Sequence, residues 1–383
     1  MPWPEVTRVA LREEFVKLAN VEGVNRRELC RRFGISAKTG YKWLKRYARE
    51  GSSGLLERSR RPRRSPTRTA EQIEQIVIQL RVESRHSWGG RKLARVLVRD
   101  RGGPKVAPST VTNILRRAGM IGTQQAPPSP RWERFQRSVP NELWQMDFKG
   151  HFPLLTQDRC HPLTVLDDYS RYSLVLKACG DERADTVRDA LTAAFRRYGL
   201  PGELLMDNGP PWGASALEST FTALWLWFIR LGIRVIHGRP RHPQTQGKDE
   251  RFHRSLKFEL LRHFNFSSLD HCQREFDRFR ERYNLVRPHD SLELDTPASR
   301  YRVSPIAFPE ILPPIEYPHG FAVRKVQHGG WISYRGHQFR VGKALRGFPV
   351  ALRPLDRHDP LREVLFGHQP IATIDLNNPD ALN

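Results

Sequence analysis

Apolar and polar positions alternate in three different ways along the chain, and each way predicts a different kind of domain. Over residues 8–48 and again over residues 69–119, apolar residues recur at the three- and four-residue spacing of amphipathic helices. From about residue 139, period-two runs alternate with helical ones, which predicts an α/β layered domain with a mixed sheet. Beyond about residue 317, short alternating runs separated by glycines favour a small β-barrel.

The first helical region contains the pattern of a helix-turn-helix. In RRELCRRFGISAKTGYKWLKRYARE, a helix from about Arg26 is broken at Gly34, and a second begins after Ser36, a natural N-cap. The second helix of such a motif enters the DNA major groove, whereas an ordinary helical hairpin is the alternative interpretation. The candidate DNA contacts on this helix are Ala37, Lys38, Thr39 and Lys42.

The second helical region has the same shape without being a close repeat. WGGRKLARVLVRD and APSTVTNILRRAGM both predict helices, the latter capped by Ser109. Two recognition units in tandem favour a long DNA site that is bound by one chain. The candidate DNA contacts of the second unit are Thr110, Thr112, Asn113 and Arg116.

Changes of composition predict where the domains begin and end. The stretch GSSGLLERSRRPRRSPTR is typical of a flexible basic linker, either a solvated spacer or an arm along phosphates or a minor groove. Its candidate DNA contacts are Arg60, Arg61, Arg63 and Arg64. The predicted domains and linkers are a first helix-turn-helix at 1–52, a basic linker at 53–68, a second helix-turn-helix at 69–121, a linker at 122–137, the α/β domain at 138–305 and the β-barrel at 317–376.

The net charge narrows the class of partner. The chain has 64 Lys and Arg against 41 Asp and Glu in 383 residues, a formal charge of +23. This excess favours a polyanionic partner, most simply nucleic acid, although a ribosomal or merely cationic protein shares it. The four cysteines form no CxxC pair, and no apolar run approaches the ~20 residues that span a bilayer. We therefore expect a cytoplasmic protein with no membrane segment.

Three carboxylates stand out by their positions in the α/β domain. Asp147 lies inside the strand pattern WQMDFKG, Asp207 closes the strand LLMD, and Glu250 lies in the first turn of a helix. Taken singly, each has an ordinary structural explanation. Asp147 could be a charge on an edge strand whose polar partners are present, Asp207 could form the turn that follows its strand, and Glu250 could interact with the helix dipole. Together, oxygen ligands of this kind suit Mg²⁺ or Mn²⁺, and two such ions can clamp a phosphoryl transfer. Arg254 and Lys257, on the same helix, would hold the DNA backbone.

Several motifs in order resemble one known family. WQMDFKG, LDDYSRY, MDNGPPW, HPQTQGKDERFHRSLK and YNLVRPHDSL resemble the core of bacterial Asp-Asp-Glu transposases, which is shared with retroviral integrases. RRELCRRFGISAKTGYKWLKRY and WGGRKLARVL resemble insertion sequence family 481 in particular. The resemblance implies a ribonuclease-H-like fold with a mixed five-stranded sheet. It places the metal-binding catalytic triad on Asp147, Asp207 and Glu250. Asp249 is then a neighbour without a catalytic role, and Asp167 and Asp168 are structural or hydrogen-bonding residues.

The same resemblance implies a function. Such an enzyme binds terminal inverted repeats through both helix-turn-helix units, cuts DNA at the ends and joins the 3′-hydroxyl to target DNA with two Mg²⁺ or Mn²⁺ ions. It acts as a homo-oligomer on DNA, in the bacterial cytoplasm near the nucleoid. The alternatives are a non-catalytic DNA-binding regulator and a metal-dependent nuclease of the same fold.

One interval departs from the family pattern. Residues 208–249, between the second and third carboxylates, form a longer segment than is usual in integrases. The excess is predicted near SALESTFTALWLWF, as an extra helix on the surface or at a subunit contact. The resemblance also implies a flexible loop at the active site. The residues of this chain that fall in that loop are His242, Pro243, Gln244 and Gly247.

Overall fold

A computed structural model describes residues 7–58, 68–122, 136–207, 209–212, 221–237, 247–355 and 360–378. The chain divides into two units, Met1–Thr69 and Ala70–Asn383. The second predicted helix-turn-helix therefore belongs to the same unit as the α/β and C-terminal regions. Within the described ranges, no helix is long and apolar enough to cross a membrane.

The N-terminal unit is the predicted helix-turn-helix. Its helices are α1 (Arg8–Ala19), α2 (Arg26–Arg32) and α3 (Ala37–Glu50). Ser36 caps α3, since its hydroxyl accepts a hydrogen bond from the Thr39 amide at 3.2 Å. Gly40 lies where α3 crosses the other helices, and an added Cβ would lie 2.4 Å from Cys30 Sγ. The turn and the close crossing therefore both depend on particular small or polar residues.

The second helical region is also built as expected, with one correction. Its helices are α4 (Glu71–Glu83), α5 (Gly90–Arg101) and α6 (Pro108–Arg117). The prediction that Ser109 caps the last helix is wrong, because α6 begins earlier, with Ala107 at the N-cap. Pro108 occupies the first helical position, where its fixed φ suits the helix and its missing N–H leaves no donor unsatisfied.

A mixed β-sheet forms the centre of the larger unit. Its strands are β1 (Leu143–Phe148), β2 (Phe152–Pro153), β3 (Arg159–Asp167), β4 (Ser173–Cys179), β5 (Glu203–Met206) and β6 (Arg234–His237). β1 pairs antiparallel with β3 and parallel with β5, while β4 and β6 extend the sheet at its two sides. Five of these strands match the prediction. The two-residue β2, paired with the start of β3, is a sixth that is too short to show alternation.

Helices cover both faces of this sheet. The helices are α7 (Ala184–Tyr198), α9 (Gly247–Glu259), α10 (Leu269–Leu285) and the short α11 (Pro297–Arg300). Trp144 and Met146 of β1 share a core with Phe195 of α7. Phe252 of α9 and Phe276 of α10 share a separate core with strand residues of the other face. This α/β layering confirms the predicted ribonuclease-H-like class.

The C-terminal region is all β, as its alternation predicts. Its strands are β7 (Ala322–Lys325), β8 (Trp331–Tyr334), β9 (His337–Arg340), β10 (Pro349–Pro354), β11 (Leu361–Phe366) and β12 (Gln369–Asp375). An antiparallel sheet in the order β12-β11-β10-β7 accompanies the β8-β9 hairpin. A closed barrel stays a prediction.

The described part of the extra segment is not on the surface, so that part of the prediction is wrong, and a subunit contact stays a prediction. Helix α8 (Ala223–Arg230) is buried from Leu224 to Ile229, as expected for a helix that is apolar all round. It shares one hydrophobic core with the C-terminal β-strands. A Cβ at Gly367 would lie 3.2 Å from Ile229, which shows how closely the two regions approach.

The C-terminal region also covers the edge of the central sheet. The Gln369 side-chain amide accepts a hydrogen bond from the Val235 N–H at 3.0 Å and donates one to the Val235 carbonyl at 3.1 Å. One side chain thereby takes the place of a neighbouring strand at the middle of β6.

Candidate active site

Two of the predicted carboxylates lie side by side at the ends of adjacent parallel strands. The β1–β5 register pairs Leu143 with Glu203 and Gln145 with Leu205. Continuing it by two residues places Asp207 beside Asp147. Because side chains alternate along a strand, Asp147 points away from the face on which Met146 packs against α7, toward the face covered by α9.

Burial and mutual repulsion dominate the electrostatics of this pair. Burial is the main cause that raises the pKa of Asp147 to about 7, and the charges of Asp207, Glu182 and Glu250 raise it further. Burial also raises the pKa of Asp207, whose Oδ1 accepts a hydrogen bond from the Gly209 amide at 3.1 Å. Nearby negative charges make a carboxyl group harder to ionise, so the raised pKa values show that the site contains too little positive charge to balance its carboxylates.

The third predicted carboxylate approaches the pair but does not join it. Glu250, in the first turn of α9, is exposed, although its charge acts on Asp147. Its neighbour Asp249 is fully buried, and neither of its carboxylate oxygens has a hydrogen-bond partner among the described residues. Burial, followed by the charge of Asp147, raises the pKa of Asp249 well above its usual value. The assignment of Glu250 to a triad therefore stays a prediction.

A buried network fixes the start of α9 to the sheet. Lys248 forms an ion pair with Asp168, whose carboxylate also accepts hydrogen bonds from Gln145 Nε2 at 2.6 Å and the Arg137 amide at 2.8 Å. Asp167 accepts bonds from the amides of Asn141 and Ser170, both at 2.7 Å. The predicted hydrogen-bonding role of both aspartates is thus confirmed. Asp168 holds the catalytic helix against β1.

Residues that the sequence did not single out complete the surroundings of Asp147. The Thr164 hydroxyl donates to the Asp147 carbonyl at 2.9 Å and lies 2.9 Å from His253 Nε2. Because the Thr164 hydroxyl proton is used in the bond to Asp147, the Thr164 oxygen must accept a hydrogen bond from His253 Nε2–H. The proton of the neutral ring is then on Nε2, and Nδ1 carries a lone pair. Nδ1 lies 4.0 Å from Asp147 Oδ2. Burial, followed by Lys149, lowers the pKa of His253 to about 4, which keeps the ring neutral near pH 7. Its only sequence signal is its position three residues after Glu250, one helical turn along.

A fourth carboxylate lies near the same strand ends. The charge of Glu182 raises the pKa of both Asp147 and Asp207. Its carboxylate is 2.7 Å from His161 Nδ1 on β3. No motif marks Glu182, which precedes α7, so only the fold brings it to the site.

The predicted DNA contacts fall into two groups. Lys38, Lys42, Asn113, Arg116, Arg254 and Lys257 are exposed, as a DNA contact requires. Two threonines already have partners: Thr39 Oγ1 lies 2.9 Å from the Ser36 hydroxyl, and Thr112 donates to the Pro108 carbonyl at 2.9 Å. Thr110 is half-buried. Arg60, Arg61, Arg63 and Arg64 lie outside the described residues, as do His242, Pro243 and Gln244.

The donor chemistry of the site fits a hard divalent cation. Asp147 and Asp207 offer oxygen donors, and their crowding supplies the negative charge that Mg²⁺ or Mn²⁺ would neutralise. Among the described residues, however, no three His, Cys, Asp or Glu side chains lie close enough together to hold a metal ion. The described residues therefore supply a pair of carboxylates but not a complete ligand set.

Sequence profiles of known domain families match most of the chain. A helix-turn-helix domain matches residues 11–63 and a homeodomain-like domain residues 39–115. Two integrase core domain profiles match residues 137–243 and 231–297. The C-terminal domain of IS481 family transposases matches residues 321–382. These matches support membership of the IS481-type Asp-Asp-Glu transposase family.

Two insertion-element proteins are similar to this IS481-type chain. The uncharacterized 39.2 kDa protein of insertion element IS476 from Xanthomonas euvesicatoria is 32% identical over 173 residues, 45% of this chain and 47% of that protein. The uncharacterized 31.7 kDa protein of insertion element IS407 from Burkholderia multivorans is 26% identical over 238 residues, 60% of this chain and 82% of that protein. The chain thus spans about half the length of the first relative.

A solved structure shows a weaker likeness. A chain of the simian T-cell lymphotropic virus intasome is 16% identical, with a TM-score of 0.37, over 78% of this chain and 99% of that chain. A likeness of this size supports no functional argument.

Proposed function

We propose that the protein is a transposase that binds the terminal inverted repeats of its element, cuts the DNA there and joins the freed 3′-hydroxyl to target DNA. The observation that carries this proposal is the pair of strand-end carboxylates, Asp147 and Asp207, which faces the helix α9 that carries Glu250. Family membership and the two helix-turn-helix units support it.

Both steps are in-line displacements at phosphorus. Water first attacks the phosphodiester at the transposon end, and the bond to the 3′-oxygen breaks, which leaves a 3′-hydroxyl and a 5′-phosphate. That 3′-hydroxyl then attacks a target phosphodiester, whose own 3′-oxygen leaves. Two Mg²⁺ or Mn²⁺ ions, when bound, would neutralise the charge that develops on the attacking and leaving oxygens.

The side chains of this chain have separate tasks in that scheme. Asp147, Asp207 and Glu250 are the proposed metal ligands. The Thr164 hydroxyl binds the main-chain carbonyl of Asp147, and the neutral ring of His253 lies 4.0 Å from the Asp147 carboxylate on the side of α9. Arg254 and Lys257, both exposed on α9, would hold the DNA backbone beside the carboxylates; their attraction to phosphate falls as salt rises.

DNA is the proposed partner throughout. The exposed Lys38 and Lys42 of α3, and Asn113 and Arg116 of α6, would contact the terminal repeats. We propose a homo-oligomer on DNA, since two transposon ends must be handled together. The proposed place of action is the bacterial cytoplasm, at the nucleoid.

The triad is tested by conservative substitution. Asp147→Asn, Asp207→Asn and Glu250→Gln should each abolish Mg²⁺-dependent cutting and joining, while binding to end DNA changes little. Asp249→Asn is the matched control, because it removes a neighbouring carboxylate on the same helix turn. Loss of activity in Asp249→Asn with full activity in Glu250→Gln would move the third ligand to Asp249.

The products separate the proposal from its rivals. Labelled end DNA incubated with target DNA and Mg²⁺ should give joined strands on a denaturing gel. Cut DNA without joined product would indicate a nuclease, and specific binding without either product would indicate a regulator.

A further inference from the structure

A cleft of about 450 Å³ lies between the second helix-turn-helix and the catalytic helix. The start of α5 supplies Gly90, Arg91 and Lys92 to its wall, and the start of α6 supplies Ser109. Arg251 of α9, the residue directly after Glu250, lines the opposite side. The cleft therefore joins an element predicted to recognise DNA with the helix that carries a proposed metal ligand.

Polar contacts hold the walls of the cleft together. Arg95 of α5 pairs with Asp295 at 3.0 Å. Arg85, after α4, donates to the Glu259 carbonyl of α9 at 2.9 Å, and Arg282 of α10 donates to the Glu83 carbonyl of α4 at 2.9 Å. These bonds join α4, α5 and the segment after α4 to α9, α10 and the loop before α11, so the second helix-turn-helix packs directly on the α/β region beside the cleft.

Gly90 sets how closely α5 and α6 approach inside the cleft. An added Cβ there would lie 2.4 Å from both the Pro108 carbonyl oxygen and Thr112 Oγ1. With glycine, the first turns of the two helices meet at one place, and their free amide N–H groups add positive potential there.

The cleft carries more positive than negative charge. Arg91 and Lys92 share one carboxylate, that of Asp290, at 3.4 and 3.5 Å. Arg251 is exposed and has no ion-pair partner among the described residues. Burial, followed by the charges of Arg287 and Arg251, lowers the pKa of Lys92 to about 8. Three cationic side chains and one carboxylate line this concave site, so its positive potential attracts an anion from solution.

We propose that this cleft binds a stretch of DNA backbone, so that one duplex contacts the second helix-turn-helix and the catalytic helix together. The inference rests on the proposed function, because DNA is the polyanion concerned. Phosphates held by Arg91 and Arg251 would lie next to the residue that precedes Arg251, the proposed ligand Glu250. The distance between the recognised sequence and the cut phosphodiester would then be set by the packing of α5 and α6 on α9.

Salt-dependent binding tests the proposal. The double variant Arg91→Gln, Arg251→Gln removes two exposed cations without disturbing a core. For a duplex of fixed arbitrary sequence, two lost phosphate contacts should weaken binding at least about tenfold near 100 mM salt and reduce the slope of log K against log salt by about 2. Arg196→Gln is the matched control, since Arg196 is also an exposed arginine paired with one carboxylate, that of Glu310. It should bind like the unaltered protein.

A tethered reagent locates the DNA independently. The four native cysteines are buried, so Ser109→Cys adds an exposed thiol to which a DNA-cutting iron chelate can be attached. Bound duplex should be cut, and the unaltered protein treated in the same way serves as the control. Circular dichroism confirms that each variant is folded.

The outcomes separate this inference from the proposed function. If the unaltered protein binds no DNA, the proposed function fails and the cleft proposal fails with it. If it binds DNA but the double variant keeps the same slope and the tethered chelate leaves the duplex intact, the cleft proposal alone is overturned.

Discussion

Replacing Asp147 with asparagine should stabilise the metal-free protein while it abolishes catalysis. The half-buried carboxyl has a pKa of about 7 instead of its usual 3.8, mainly because of desolvation and then because of the charge of Asp207. The native state therefore binds this proton more tightly than the unfolded state does. Ionising Asp147 consequently lowers the stability of the fold as the pH rises from about 4 to 7.

The size of the effect follows from the displaced pKa. A difference of roughly three pKa units corresponds to about 4 kcal/mol once Asp147 is ionised. The side chain is 27% exposed, and screening by solvent reduces this ceiling to about 2 kcal/mol. The amide introduced by Asp147→Asn has nearly the same shape as the carboxyl group and carries no charge. The variant should match the parent near pH 4 and gain steadily until about pH 7.

Thermal melting in a chelating buffer at pH 5 and pH 8 measures this gain. Asp158→Asn, at an exposed loop position, is the control and should shift neither curve. Adding Mg²⁺ at pH 8 should raise the melting temperature of the parent but not that of Asp147→Asn, because binding to the native state stabilises it. Equal melting differences at both pH values would refute the electrostatic account of the site.

Three further substitutions test other parts of the structure. His253→Ala should raise the Mg²⁺ concentration that gives half-maximal cleavage roughly tenfold, and His253→Asn should raise it less. Titrating the cutting rate with Mg²⁺ measures both effects. Glu259→Ala should lower the free energy of unfolding by about 3–5 kcal/mol, because it leaves Arg287 buried without the carboxylate that lies 2.9 Å from its Nε. Adding Arg287→Met to that variant should recover most of the loss, and chemical denaturation measures both changes. Gly90→Ala should separate α5 from α6 and lower the melting temperature, whereas Gly89→Ala, in open space, should not.

Much of the fold was predictable because local chemistry and pattern agree. Ser36 and Gly34 mark the turn before α3, and the Ser36 hydroxyl caps that helix as predicted. Asp147 and Asp207 stood out because a charge at the end of an apolar strand is unusual, and the parallel pairing of β1 with β5 then brings them together.

What the sequence did not predict depends on contacts between distant segments. Thr164 reaches Asp147 only through the β1–β3 register, and His253 reaches both only when α9 packs on those strands. The burial of the Trp-rich helix α8 is not predictable from nearby residues, because its partner, the C-terminal β-region, begins about a hundred residues later. Ser109 was assigned as a cap since its type suits that position, but Pro108 starts the helix first.

The amide of Gln369 has a consequence for how the chain can be shortened. Strand β6 is the last of its sheet, and an uncovered edge of this kind recruits strands from other molecules. Deleting the residues after about 317 would uncover that edge together with the tryptophans of α8. A chain that ends at about residue 317 should therefore aggregate or precipitate. By covering the β6 edge and α8, the C-terminal β-region keeps the rest of the chain from self-association.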